Sequence, residues 1–221
     1  SGAVEDAIEQ YRAVYAGRRG VLGESHYETC VAANNLGLAL RDAGRPDEAV
    51  VVLRAALQGL ETVVGDAHST TLSCMNNLGL ALRETDQADE AVKLSQRVLN
   101  ARLALSGPEH RETIAAMINL GAALRGVDRF GDAEAVLRRA IDTLVGMADA
   151  PPGYEGVARS FLALAIGEAG RIDVALAEGE KAWTLVSETF GATSARALRF
   201  AADMAALAPA DSAWPGRAAG E

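Results

Sequence analysis

The chain has 221 residues, 49% hydrophobic and 23% charged, which is enough to bury a core and too apolar for a disordered chain. A net charge of −9 argues against a nucleic-acid-binding surface, and two cysteines are too few for a disulfide framework. No uncharged apolar run reaches the roughly 18–20 residues that span a bilayer, and "SGAVEDAIEQ" has no signal-peptide pattern, so a globular cytoplasmic protein is expected.

The first predicted element is a helix in "EDAIEQYRAVY", Glu5–Tyr15. A second follows Gly23, with Ser25 and Glu28 read as a capping box at its start. It carries Leu36 and Leu40 four apart, near Ala32, Ala33 and Ala39, within the phrase "NNLGLALR" at Asn34–Arg41. Gly44 is placed to end this helix in the left-handed conformation. Pro46 then opens the next, with Asp47 and Glu48 at its positive N-terminus. Ala49, Leu53, Ala56, Leu57 and Leu60 trace that helix's apolar stripe.

The same order returns 42 positions later. "NNLGLALR" is repeated unchanged at Asn76–Arg83 and in weaker form, "INLGAALR", at Ile118–Arg125. Gly23, Gly65 and Gly107 keep this register, as do His26, His68 and His110, and Thr29, Thr71 and Thr113. A fainter unit occupies Asp149–Phe190, with Phe161, Leu162 and Ala163 in place of Asn-Leu-Gly. "TSARALRFAADMAALA" reads as one more first helix, and Pro209–Glu221 is expected to be disordered. Turns inside the pairs are expected near Gly44, Asp86, Asp128 and Gly170. Loops between pairs are expected near Gly23, Gly65, Gly107, Pro151–Gly153 and Gly191. A period of this size marks a solenoid, propeller or array, and the helical spacing inside each unit makes it all-α.

"NNLGLALRDAGRPDEAVVVLRAAL" resembles a tetratricopeptide repeat, with Leu36-Gly37, Leu40, Ala49, Leu53 and Ala56 at the signature spacing. The 42-residue period, with a glycine and a histidine before the first helix, is similar to the longer subtype of kinesin light chain and many bacterial regulators. Ala33 and Leu40 depart from it, standing where Trp and Tyr are common. The resemblance implies a right-handed superhelical solenoid of antiparallel helix pairs. Residues 1–22 would be the second helix of a truncated repeat, 23–190 four pairs, 191–208 a capping helix and 209–221 a tail. The start in mid-repeat is read as a cut from a longer protein, and the resemblance implies a bacterial multidomain regulator as its parent.

Gly37, Gly79 and Gly121 are expected to be close-packing points between helices. Asn34 and Asn35 precede the core Leu36 and are expected to turn away from it. Two readings of the asparagines stand: hydrogen bonds between repeats, or, as the resemblance implies, a groove lining that holds a peptide backbone through amide donors and acceptors. On the second reading Asn35, Asn77 and Asn119 form a ladder, with Asn34 and Asn76 beside it. Arg41, Arg83 and Arg125 either complement helix C-termini or select carboxylates. Leu38 and Leu80 complete the groove, and Ser160, Phe161 and Leu164 give it an apolar wall.

The expected partner is a protein or peptide segment, acidic in character, or another domain of the parent chain. No nucleic acid, membrane, metal or cofactor is expected. The alternatives are a self-association module, dimeric through the open end at Gly2, and a small-ligand sensor using the apolar wall. The histidines are dispersed one per loop, so they are read as capping or packing the start of each first helix rather than as metal ligands. Cys30 and Cys74 are read as small core residues. No phosphate-binding Gly-Lys-Ser/Thr loop, H-E-x-x-H or G-x-S-x-G occurs, and an enzyme is not expected.

Overall fold

The computed structural model describes residues 2–85 and 87–208. The expected turn at Asp86 and the expected tail over 209–221 lie outside them. Among the described residues there are ten α-helices and no strand. They are α1 (Gly2–Leu22), α2 (Tyr27–Asp42), α3 (Pro46–Val63), α4 (Ser69–Leu82) and α5 (Ala88–Ser106). They continue with α6 (Arg111–Arg125), α7 (Phe130–Gly146), α8 (Tyr154–Glu168), α9 (Ile172–Phe190) and α10 (Ala195–Leu207). The chain divides into two compact units, Ser1–Ala101 and Arg102–Glu221, with the boundary inside α5.

In the first unit α2 packs against α1, α3 and α4. The turn between α2 and α3 is written in its residues. Gly44 takes φ 75°, its N–H bonds the Arg41 carbonyl, and the Arg45 N–H reaches back to Leu40. That is the Schellman closure, which satisfies the last carbonyls of a helix. Pro46 then stands in the first turn of α3, with Asp47 and Glu48 beside it. Leu36, Leu40, Leu53 and Leu60 are 3% exposed or less and form the seam of this pair.

The second unit repeats the plan with α6–α7 and α8–α9, and α10 packs on α8 and α9. Asp128 occupies the position of Gly44 two periods later and takes φ 57°, the left-handed region that Asp enters more readily than most residues. Leu164, Ala182, Phe200 and Met204 form a core cluster that seats α10.

The starts of the first helices correct one expectation. The cap of α2 is His26, not Ser25: its Nδ1 accepts from the Glu28 N–H at 3.2 Å. His68 and His110 do the same for Thr70 and Glu112, at 3.2 and 3.3 Å. Each recurring histidine thus works as a helix cap, as Ser194 does for α10.

Candidate functional site

The first helices of the first unit are tied side by side by polar contacts. The Tyr27 and Thr70 hydroxyls lie 3.0 Å apart, and the Tyr27 ring meets the His68 ring edge-on at 6.1 Å. Midway along, the Asn77 amide donates to Asn34 Oδ1 at 3.0 Å. Asn34 is only 8% exposed, so it does not turn away from the interior as expected. It lies where α2 meets α4, and its oxygen is used up by the neighbouring repeat. Asn35 does turn away and is exposed.

These contacts follow a rule. Asn34 to Asn77 and Tyr27 to Thr70 both span 43 residues, one more than the sequence period. Arg125 to Glu168, between α6 and α8 in the second unit, also spans 43, at 2.7 Å. Successive first helices thus meet with a one-residue advance. The sequence signal was present, but it lay one position beyond the register in which identical residues align.

What remains outward on α2 and α4 is a mixed face. Asn35 is exposed, and Val31, Leu38, Asn76, Asn77, Leu80 and Arg83 are half-buried. Arg41 is also half-buried and bonds Asp42 at 2.5 Å. In the second unit Asn119, Arg125, Ser160 and Phe161 are half-buried. Burial holds the Glu168 carboxyl above its usual range, although Arg125 pulls it the other way. Ser160 donates to the Gly156 carbonyl at 2.8 Å. Leu164 is 4% exposed and belongs to the core under α10, so it is not part of an open wall.

The outward side of the second helices carries ion pairs. In the first unit Arg12–Glu48 and Arg54–Glu90 are copies one period apart, at 3.0 and 2.6 Å. Arg97 spans Glu61 and Asp66, at 2.8 and 3.0 Å. In the second unit Glu134 is 8% exposed and pairs with Arg171 and Arg138; the Arg171 hydrogen bond, above all, holds its carboxyl below the usual range. These are scaffold contacts, since their charges are already matched.

Three glycines share one slot but not one role. A Cβ at Gly37 would lie 2.4 Å from Leu53, and one at Gly121 would lie 2.5 Å from Leu137. A Cβ at Gly79 would meet Ser95 Oγ at 3.6 Å, which is ordinary contact. The expectation of three equal packing points therefore fails at Gly79, because Ser95 stands where the other pairs have leucine. Both cysteines are free and buried, and burial pushes the Cys74 thiol up to about 12. Among the described residues no group of three or more His, Cys, Asp or Glu is placed to hold a metal, and no helix is long and apolar enough to cross a membrane.

Helix pairs of constant length, stacked through small residues and presenting a mixed face, define a helical-repeat scaffold. The chain belongs to the tetratricopeptide repeat family, whose pattern matches residues 1–62 and 66–144. Proteins of this family typically mediate protein–protein interaction and are not enzymes. No curated protein matches. Among solved structures, BtubC (BKLC) from P. vanneervenii is similar at a TM-score of 0.72 and 18% identity, covering 86% of this chain and 76% of that one. A Podosopora anserina chain described as a kinesin light chain with nearly identical TPR-like repeats is similar at 0.65 and 18% identity, covering 82% and 86%. At these identities the likeness is one of fold: kinesin-light-chain-like repeats.

Proposed function

We propose that the outward face of the first helices binds an extended segment of a protein partner. The observation that carries this reading is the Asn34–Asn77 bond. It holds α2 and α4 in register and leaves Asn35 in solvent beside the half-buried Leu38 and Leu80. An asparagine amide offers both a donor and an acceptor to a peptide backbone, and the leucines offer apolar contact. The family's general role supports the same reading, and a cytoplasmic setting belongs to it.

The partner segment is acidic. Arg41, on the same helix as Asn35 and Leu38, already holds a carboxylate, Asp42, so its guanidinium group is set for that chemistry. A partner carboxylate takes the place of the internal one. Asp42→Asn is therefore expected to tighten binding of acidic peptides drawn from a random library, with a gain that shrinks as salt rises. Leu38→Ser is expected to weaken all peptides alike. Fluorescence titration of both variants at low and high salt tests this; unchanged affinity in both would overturn the reading.

A further inference from the structure

A cleft of about 440 Å³ lies between α1, α2 and α3 of the first unit. Thr29 and Gly59 line its buried side, and Arg19, Glu24, Ser25 and Gln58 its exposed side. One period on, the same place is occupied. Arg97, the counterpart of Ala55, reaches from α5 to Glu61 and Asp66, the counterparts of Arg19 and Glu24. The group that fills the place there belongs to the following second helix. The first cleft is thus open because α3 carries alanine at residue 55, and not for want of a preceding repeat. Its own Arg19 and Glu24 pair with each other.

Thr29 sets this cleft apart a second time. Its counterparts are satisfied: the Thr71 hydroxyl donates to the Gly65 carbonyl at 2.8 Å, and the Thr113 hydroxyl to the Arg102 carbonyl at 3.3 Å. Thr29 is 1% exposed and lines the cleft, and its hydroxyl has no hydrogen-bond partner among the described residues. A buried hydroxyl without a partner is costly, so a ligand hydroxyl that pairs with it gains on binding.

We propose that this cleft binds a small neutral sugar of one or two rings. The two charges on its walls already cancel in the Arg19–Glu24 pair, so an ionic ligand has to displace one of them. A sugar hydroxyl both donates and accepts, which matches the hydroxyls of Ser25 and Thr29 and the amide of Gln58. The half-buried Tyr15 adds a ring whose apolar face suits a sugar's C–H side, and a concave site of this volume suits a molecule of that size.

The test titrates the ¹⁵N-labelled full chain with glucose, galactose, maltose and trehalose, and with glutamate and arginine as charged controls. Expected are saturable amide shifts at Ser25, Thr29 and Gly59 with at least one of the sugars, and none with the controls. Ala55→Met places a long uncharged side chain where Arg97 stands one period on, and is expected to lower the affinity at least tenfold. Thr29→Val is expected to do the same while melting no lower than the unaltered chain, because it removes only an unpaired hydroxyl. Val51→Asp, on the exposed side of α3, is expected to bind as the unaltered chain does. Absence of binding by all the sugars, binding indifferent to Ala55→Met or to Thr29→Val, shifts of the same amides by glutamate or arginine, or a lowered melt of Thr29→Val would each overturn the proposal. None of these variants alters Asn35, Leu38 or Asp42, so the outcome is independent of peptide capture by the first helices.

Discussion

Gly37, Gly79 and Gly121 are the same letter in the same slot, yet their neighbours differ. Leu53 and Leu137 press on two of them, and Ser95 leaves space at the third. Gly121→Ala forces the Leu137 side chain to move, and overpacking of this kind costs about 1–3 kcal/mol. Gly79→Ala meets only ordinary contact, so the helix-propensity gain of about 1 kcal/mol is expected to prevail. Urea unfolding of the two variants distinguishes them: opposite shifts in midpoint are expected, and equal losses would show that α4 and α5 pack as tightly as the other pairs.

At the scale of the element, helix is tied to helix in two ways. Asn34–Asn77 joins α2 to α4 from inside. Asn77→Ala leaves a nearly buried carbonyl oxygen without its donor, which costs about 1–3 kcal/mol. A lower melting temperature with retained secondary structure is expected, and an unchanged melt would show that the bond contributes nothing. Glu134 joins α7 to α9 through Arg171. Because its carboxyl is held below the usual range, the unfolded chain binds the proton more readily. The stabilisation is complete above the ordinary carboxylate value of about 4.3, and it is lost as pH falls through the lower folded value. Glu134→Gln is therefore expected to flatten the acid limb of the stability profile in that window; a profile parallel to that of the unaltered chain would contradict it.

For the whole molecule, the class of fold was legible because repetition amplifies weak signals. One "NNLGLALR" is only an apolar phrase, but two copies with the glycines and histidines in step fix period, helix and turn. The His26 cap was hidden behind Ser25, a better-known cap residue, and only the recurrence of histidine at 68 and 110 pointed to it. The site was less legible. Adjacent letters in a helix point about 100° apart, so Asn34 and Asn35 serve different surfaces although they look alike in the sequence. The polar side-chain bonds between successive first helices, Tyr27–Thr70, Asn34–Asn77 and Arg125–Glu168, fall 43 residues apart, not 42, so alignment of identical residues passed over the pair that bonds. The loss of a tight contact at Gly79 lay in Ser95, on another helix.

Peptide capture on the first helices is tested most directly by mapping backbone amide shifts of the ¹⁵N-labelled chain as an acidic library-derived peptide is added. Perturbations are expected at Val31, Asn35, Leu38, Asn77 and Leu80, with the outward residues Val51 and Arg54 of α3 unmoved. Perturbations confined to the second helices, or none at saturating peptide, would contradict it.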